Sequence, residues 1–389
     1  MSSPLSPLSR RDFLRTSTQT ATLAAAGILP NTVDVRDFNA VGDGKTDNTV
    51  PIQNALDKAA KTKGTVFIPD GVFVCSKLKI PPFVGLSGNP TWSYTEYAGS
   101  VLRLGDKSAS CLLDVTGAFG FRLNGVCLDG AKLGTGVHGI LLDKPDYGKH
   151  EDTICVERCR IGNFTGDGIH LSRIWVFSIR HSMICFNKAN GLWYRGWDGF
   201  VLDNWFSGNG EAGIGAYEEH ASVTITANRI EWNRRYGIVL KGGQHYNITG
   251  NYIDRTSGPA LALLARSKPE DGKRKGTRIV SITGNVIYRS GAPHGGPFSD
   301  KHQSAHMRIE EAAGVSCVGN TLNAGQDDGF KGECSPNYGI VVRALSNSVI
   351  KDNVMHEGAL QELVVDQGGH GEGLILKDNV GSIIKPNRP

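Results

Sequence analysis

The feature that most constrains the fold of this chain is an internal repeat, which returns every 23 residues between Cys155 and Asn251. Each copy has an apolar residue in second place and, about a dozen residues later, a glycine followed by an apolar residue. A repeat of this length, built from short runs separated by Gly and Asn, is typical of a solenoid whose coils stack on one another. The apolar second positions are Val156, Ile179, Leu202, Ile225 and Ile248.

The spacing of the apolar residues identifies the repeating element as a β-strand. Within a copy they recur at every second position, as at Ile169 and Leu171 or at Ile238 and Leu240. An α-helix would instead require spacings of three and four. Since parallel β-crossovers are right-handed, the repeat predicts an all-β, single-domain right-handed parallel β-helix. Looser copies continue the pattern from Ser281, Ser316 and Val349, with a last partial copy at Ile375.

One column of the repeat is occupied by asparagine from the fourth copy onward. A short amide side chain tolerates the left-handed backbone of a tight bend, and stacked amides can hydrogen-bond to the coils above and below. We therefore predict a structural asparagine ladder without a catalytic role. Its members are Asn228, Asn251, Asn285, Asn320, Asn353 and Asn379.

The composition fits one long domain, because solenoids grow by adding coils rather than by building new cores. We predict that residues 31–389 of the 389-residue chain form the β-helix, with the N-terminal cap and first rung at 31–71 and the regular turns at 155–380. The net charge is only +4. So small a charge excludes a nucleic-acid binder whose affinity depends on electrostatics.

Residues 1–30 resemble a bacterial twin-arginine export signal. Arg10 and Arg11 are followed by Phe13 and Leu14, and then by a weakly apolar stretch that contains a cleavage-like site at Ala24–Ala26. No later stretch approaches the ~20 apolar residues that span a bilayer. We expect export by the twin-arginine route to the periplasm or the medium, with no membrane span.

The segment after this signal resembles the opening of the pectate-lyase-like superfamily, which includes rhamnogalacturonases and some epimerases. The resemblance lies in Val35–Thr49, the amphipathic run Ile52–Ala60 and the run Gly64–Gly71; Asn48 stands where a second Asp is usual, and Lys63 where a first Gly is usual. It implies a strand, a short N-terminal capping helix and a first rung. It also implies a protein that acts on a polysaccharide, without fixing the reaction.

Because side chains fill the bore of a β-helix, a long ligand must lie along an outer face. On the strand that begins at the Gly-apolar step, the outward positions include Arg195, Tyr217 and Lys241. With coils ~4.8 Å apart, these three are expected to form a line ~10 Å long. Such a line matches the length of about two sugar units.

Further side chains are expected around this line. Aromatic faces stack on sugars, and cations bind uronate carboxylates, so the predicted ligand is an acidic polysaccharide. We predict His170 as an additional catalytic residue. The predicted substrate-binding residues are Trp193, Trp197, Glu218, Glu219 and Asp143.

The chemistry that we prefer is β-elimination on a uronic-acid polymer. A base removes the proton next to the carboxylate, and a cation stabilises the resulting charge. Lys241 or Tyr217 would be the base, Arg195 would neutralise the carboxylate, and His170 would assist. A lysine base requires a pKa below ~10.4, which burial and the nearby Arg195 could provide.

Two other functions stay open at this stage. Glycoside hydrolysis needs two carboxylates, for which Glu218, Glu219, Asp198 and Asp143 are candidates. A non-catalytic carbohydrate-binding or cell-surface scaffold would carry the same residues splayed apart and solvated. No cofactor is certain. Ca²⁺ is one candidate, because four carboxylates in this region are enough to supply its oxygen ligands. They are Asp198, Asp203, Glu218 and Glu219.

Overall fold

The computed structural model describes residues 31–266, 276–292, 301–329 and 331–384, and it forms a parallel β-helix. The export signal predicted at residues 1–30 lies outside these ranges. In the described ranges, all pairings in the two large sheets are parallel, and each coil pairs in register with the next. The predicted all-β, single-domain fold is confirmed.

The larger sheet has 21 strands in the described part of the chain and covers two faces of each coil. Its three longest strands, which are β14 (Ile169–Arg180), β16 (Leu192–Leu202) and β18 (Ala212–Thr226), continue around the corner between these faces. The strands are β1 Thr32–Asp34, β3 Thr65–Phe67, β5 Leu78–Lys79, β6 Gly85–Ser87, β8 Cys111–Asp114, β9 Arg122–Asn124, β11 His138–Asp143, β12 Ile154–Glu157, β14 Ile169–Arg180, β16 Leu192–Leu202, β18 Ala212–Thr226, β20 Tyr236–Lys241, β21 Gln244–Thr249, β23 Leu261–Leu264, β24 Arg278–Thr283, β26 Ala305–Glu310, β27 Ala313–Val318, β31 Tyr338–Arg343, β32 Ser348–Lys351, β34 Glu362–Asp366 and β35 Leu374–Leu376.

The second sheet has 13 strands within the same ranges and closes the third face. A separate antiparallel hairpin, β29 Gly325–Asp327 with β30 Lys331–Ser335, projects from a late coil. The strands of the second sheet are β2 Asp43–Asp47, β4 Gly71–Cys75, β7 Ser100–Leu104, β10 Cys127–Asp129, β13 Arg160–Gly162, β15 Met183–Cys185, β17 Trp205–Ser207, β19 Arg229–Glu231, β22 Tyr252–Asp254, β25 Val286–Tyr288, β28 Thr321–Asn323, β33 Val354–Met355 and β36 Val380–Gly381.

The N-terminal end is covered by the predicted capping helix, α1 Thr49–Ala60. Ile52, Ala55, Leu56 and Ala59 are buried against the first coil, so α1 shields the apolar end of the solenoid. Two short 3₁₀ turns, Val35–Phe38 and Lys301–Gln303, complete the helical elements of the described residues. Within those residues, no helix combines the length and apolarity needed to cross a membrane.

The bore is filled by apolar side chains stacked in columns. Each fully buried aliphatic side chain contributes about 1.5–3 kcal/mol relative to exposure, so the stack is the main stabilising feature of the fold. The eight cysteines are unpaired, and Cys317 lies in the inward column that also contains Ile248 and Ile282. One buried column is Ile140, Ile169, Leu192, Ile214, Ile238, Leu261, Met307 and Ile340.

The asparagine ladder is confirmed and begins one coil earlier than predicted. Asn204 donates from its amide nitrogen to Oδ1 of Asn228 over 3.1 Å, and the same bond recurs from coil to coil as far as Asn379. A parallel ladder joins Asn187, Asn209 and Asn233 at another corner. The buried corners are therefore fixed by side-chain hydrogen bonds, each of which contributes about 0.5–1.5 kcal/mol.

Candidate active site

Three neighbouring columns of outward side chains meet on one face, across β11, β14, β16, β18 and β20. The repeat sets these columns, because equivalent positions of successive coils are paired. The first column, at the residue before each glycine, is His138, Asp167, Asn190, Ala212 and Tyr236; the second is Leu141, His170, Trp193, Gly215 and Val239; the third is Asp143, Ser172, Arg195, Tyr217 and Lys241.

The prediction that Arg195, Tyr217 and Lys241 form a straight row is wrong for Arg195, which has no single partner in β18. Tyr217 pairs with Lys241 as expected, but Arg195 in β16 stands opposite the three residues Tyr217–Glu219 of β18. The reason is a bulge in β18, where Glu218 has a φ of 65°. The bulge lets the Tyr217 ring turn back over Gly215, where an added Cβ would lie 2.6 Å from that ring.

Four of the predicted residues lie together in a row, which consists of three stacked rings followed by a lysine. The His170 ring lies parallel to the Trp193 ring, with centroids 4.1 Å apart and planes 1° apart. Trp193 then stacks on Tyr217 at 5.7 Å and 12°, and Nζ of Lys241 lies 5.4 Å from the Tyr217 centroid. Both faces of Trp193 are therefore covered, so a sugar reaches it at the edge rather than by the face stacking that we predicted.

A chain of hydrogen bonds runs beneath these rings and joins Tyr217 to His170. The Tyr217 hydroxyl donates to Oδ1 of Asn190 over 3.3 Å, and the Asn190 amide donates to Oδ1 of Asp167 over 2.8 Å. The other carboxylate oxygen, Oδ2, lies 2.7 Å from Nδ1 of His170. Since the carboxylate holds the proton of Nδ1, Nε2 of His170 is left as the basic nitrogen.

Asp167 is buried, and its charge is held by its neighbours. Burial raises the pKa of the Asp167 carboxyl, but hydrogen bonds with His138, His170 and Asn190 lower that pKa by more. The net result is a pKa well below the ordinary value for aspartate. Asp167 is therefore an anion at neutral pH, which is the state required to orient an imidazole.

His138 completes this group on the preceding coil. Its Nδ1 accepts a hydrogen bond from the backbone N–H of Asp167 over 3.1 Å. The same bond recurs on the next two coils, where Asp167 accepts the backbone N–H of Asn190 and Asn190 accepts the backbone N–H of Ala212. Ligand atoms of His138, Asp167 and His170 lie within 4.8 Å of one another, and this is the one such group of potential metal ligands among the described residues. Nδ1 of His138 already accepts a backbone N–H, and the carboxylate of Asp167 bonds to His170 and Asn190.

The two groups at the end of the row differ in charge state. Burial, followed by the charge of Arg235, lowers the pKa of Lys241, whereas the sequence had suggested Arg195 as the neighbouring charge. Burial, together with the charge of Asp167, raises the pKa of Tyr217 well above the ordinary value. Tyr217 is consequently a protonated phenol at neutral pH and is better suited to donate a proton than to accept one.

Four other predicted residues, Arg195, Trp197, Glu218 and Glu219, lie in a second group beside the bulge. Nη1 of Arg195 lies 2.8 Å from Glu218 and Nη2 lies 2.7 Å from Glu219, so this guanidinium is engaged by two carboxylates. Trp197 stacks on Tyr147 with ring centroids 3.7 Å apart. This group forms a wall next to the row of rings and holds Arg195 away from a direct charge contact with a ligand there.

The carboxylates predicted as Ca²⁺ ligands do not converge on one point. Glu218 and Glu219 are paired with Arg195, Asp198 accepts the indole N–H of Trp175 over 3.0 Å, and Asp203 lies 3.3 Å from His181. Four carboxylates in three separate environments do not fit a Ca²⁺ site. Asp143 is exposed in the third column, opposite Ser172.

Sequence reasoning missed His138, Asp167 and Asn190 as site residues. The signal was available, because each precedes the glycine of the Gly-apolar step in its own coil. The strand pattern predicts the outward positions after that glycine, whereas the corner before it also faces outward. Asp167 and His170 therefore meet across the glycine, three residues apart.

Comparison with known proteins places the chain in a family. Residues 135–270 and 167–385 match the family described as right handed beta helix region, and residues 32–114 match rhamnogalacturonase A/epimerase, pectate lyase-like. The chain therefore belongs to the right-handed β-helix proteins of the pectate-lyase-like superfamily. The resemblance predicted from the N-terminal segment is confirmed.

Individual relatives include a curated mannuronan C5-epimerase, AlgE6 of Azotobacter vinelandii, which is 26% identical over 213 residues. The match covers 50% of this chain and 23% of that protein, so the chain spans about a quarter of the relative's length. Among solved structures, the A-module of the same epimerase has a TM-score of 0.64 at 19% identity, covering 92% of this chain and 100% of the module.

Other similar structures carry different chemistries. A DFA-IIIase from Arthrobacter chlorophenolicus A6 has a TM-score of 0.63 at 14% identity, covering 91% of this chain and 99% of that one. A GH87 alpha-1,3-glucanase from Streptomyces thermodiastaticus has a TM-score of 0.65 at 17% identity, covering 91% and 69%. At these identities the likeness shows the shared fold alone.

Proposed function

We propose that this protein is an enzyme acting on an acidic polysaccharide, from which it removes the proton next to a uronate carboxylate, with β-elimination as the outcome. The observation that carries the proposal is the contact of 2.7 Å between Asp167 and His170 on an outer face. A buried carboxylate that fixes one imidazole nitrogen makes the other an oriented base. Among the described residues, no hydrogen bond engages Nε2 of His170.

Three members of the row have a part in this reaction. Nε2 of His170 takes the proton from C5 of the uronate, and the electron pair forms the C4–C5 double bond as the C4–O bond breaks. Tyr217 gives its proton to the departing oxygen, consistent with its raised pKa. The Lys241 ammonium neutralises the uronate carboxylate, which carries the charge that develops in the transition state.

The base that we propose differs from the base favoured by the sequence alone. Lys241 has a lowered pKa, which suits a base, but it lies against a tyrosine ring, and no carboxylate of the described residues is hydrogen-bonded or ion-paired to it. His170 has such a carboxylate in Asp167. Arg195, which is held by Glu218 and Glu219, shapes the wall of the site rather than neutralising the substrate.

C5-epimerisation is a second candidate, which the partial sequence match to a mannuronan C5-epimerase favours. Epimerisation and elimination share the removal of the C5 proton. They diverge when the carbanion either expels the C4 oxygen or receives a proton on the opposite face. A proton donor such as Tyr217 serves either course.

Hydrolysis and passive binding have weaker support. Hydrolysis needs two carboxylates flanking one bond, yet Asp167 is buried in hydrogen bonds and the glutamates are bound to Arg195. A scaffold would show these side chains splayed and solvated. Here they form a continuous, largely buried network from Tyr217 to His170.

We also propose that the protein works outside the cytoplasm after export by the twin-arginine route. The support is the sequence of residues 1–30. Acidic polysaccharides of cell walls and capsules are accessible to an enzyme there.

The test is a panel of pectate, alginate, rhamnogalacturonan and glycosaminoglycan. New unsaturated ends, new reducing ends and changes in uronate configuration are measured separately for each polymer. The proposal expects unsaturated ends from at least one polymer, and inverted uronates would point to the epimerase variant. Reducing ends without unsaturation would contradict both and indicate a hydrolase, and no change in any polymer would indicate a scaffold.

A further inference from the structure

A second groove opens beside the candidate site, at the corner that leads to the second sheet. It has a volume of about 660 Å³. It is built from three successive coils, which span ~10 Å along the helix axis. The lining residues are Gly210, Glu211, Trp232, Arg234, Arg235, Arg255 and Ser257.

The groove and the candidate site share an edge. Glu211 and Arg235 form an ion pair of 3.0 Å at this corner, immediately before Ala212 and Tyr236 of the first column. The charge of Arg235 lowers the pKa of Lys241, and the charge of Glu211 acts on both Lys241 and Tyr217. The end of the row is therefore close enough to the groove for one extended ligand to touch both.

The chemistry of the lining suits an anionic sugar. Trp232 is 38% exposed, which is unusual for so large an apolar side chain, and the guanidinium of Arg255 lies 4.6 Å from its ring. Arg255 is occupied by Asp254 and Asp327. Arg234 is exposed, and none of the described side chains forms an ion pair with it. An indole beside an unpaired guanidinium can hold a sugar ring and its carboxylate together.

We propose that this groove is a subsite for a second uronate of the polymer chain, with Trp232 contacting the sugar ring and Arg234 binding its carboxylate. The inference rests on the proposed function, because it takes the ligand to be the chain that reacts at His170. It adds that recognition extends beyond the reacting sugar and around the corner of the helix. The two lining side chains act on binding and not on proton transfer.

The test uses Arg234→Ala and Trp232→Ala, with Arg158→Ala as the matched control. Arg158 is also an exposed arginine in a turn, but it lies at the corner of the asparagine ladder, between β12 and β13. For the polymer that the enzyme turns over, each groove variant is expected to raise KM about tenfold and leave kcat unchanged. That ratio corresponds to about 1.4 kcal/mol of binding free energy.

The length of the substrate provides a second test of the subsite. For the shortest oligouronate that is turned over, the groove variants should match the wild type, because a short ligand does not reach the groove. An unchanged KM for the polymer, or an equal loss on the short oligomer and on the polymer, would overturn the subsite.

Failure of the proposed function is separated from failure of the subsite by direct binding. Titration calorimetry with an oligogalacturonate and an oligomannuronate measures affinity whether or not turnover occurs. The subsite predicts about tenfold weaker binding for Arg234→Ala than for Arg158→Ala. Equal binding by these two variants, or no binding by the wild type, would overturn it.

Discussion

The carboxylate of Asp167 has two oxygen atoms with different partners, and this division explains how a structural position becomes a candidate catalytic one. Oδ1 accepts the backbone N–H and side-chain amide of Asn190, as an asparagine of the ladders would do. Oδ2 is left to bind Nδ1 of His170. An asparagine at position 167 would offer an N–H there instead, and would favour the wrong tautomer of His170.

We therefore expect Asp167→Asn to lower kcat by about 10²–10⁴-fold while the coils stay intact, because it removes the orientation of the base. The measurement is the rate of product formation by the purified variant, with circular dichroism to verify the fold. Asp37→Asn, at an exposed position of the N-terminal 3₁₀ turn, is a control for the same chemical change away from the site. Activity near the wild-type level in Asp167→Asn would remove the proposed Asp–His base.

The lowered pKa of Lys241 predicts how kcat/KM depends on pH. Because its pKa is lowered, the ammonium loses its proton at a lower pH than the ~10.4 of an ordinary lysine. The ammonium binds the uronate carboxylate, so kcat/KM should fall on the alkaline side, beginning below that value. In Lys241→Arg the charge persists, and the fall should move to higher pH. An alkaline limb that is identical in both proteins would show that Lys241 is not the group involved.

At the scale of the element, the bulge of β18 determines which side chains meet. It gives β18 three residues opposite Arg195 and sends the Tyr217 ring over Gly215 toward Asn190. The repeat predicted that His170, Trp193, Tyr217 and Lys241 share one face, because each lies at an outward position of its coil. It did not predict the bulge, because aligning the third copy on Leu202 in place of Val201 conceals the extra residues of β18 opposite Arg195.

This arrangement makes Gly215→Ala informative. A methyl group at position 215 would lie 2.6 Å from the Tyr217 ring and displace the hydroxyl from Asn190. We expect about a tenfold loss of kcat with little change in the melting temperature, since the ring is displaced outward. Tyr217→Phe, which keeps the ring and removes the hydroxyl, should lose at least as much. Full activity in either variant would exclude Tyr217 as the proton donor.

At the scale of the whole molecule, the fold was predictable because one pattern specifies every coil. Stacking converts a sequence period into a spatial register, so most inward positions and the asparagine ladder from Asn228 onward followed from the letters. The third copy is an exception, because Val201 and not Leu202 pairs with Ile179 and Ile225, which also moves the ladder position of that coil to Asn204. The partners of each outward side chain did not follow. Arg195 was expected to face a substrate, but the bulge places two glutamates against it, and the groove at Trp232 arises from turns that the strand pattern does not describe.

The predicted export signal at residues 1–30 determines where the whole molecule is found in the cell. If residues 1–30 are read by the twin-arginine machinery, replacing both Arg10 and Arg11 by lysine should leave the protein in the cytoplasm. Fractionation of expressing cells, followed by immunoblotting, measures this directly. An exported double variant would contradict the assignment of the signal.

The most direct test of the account uses a uronate polymer labelled with deuterium at C5, chosen from the panel as one that the protein modifies. Elimination and epimerisation both remove the hydrogen at this carbon, so the label should pass to the solvent with the wild-type protein. Asp167→Asn should release it at least about 10²-fold more slowly. Product in which every modified residue keeps its deuterium would contradict proton abstraction by the Asp167–His170 pair.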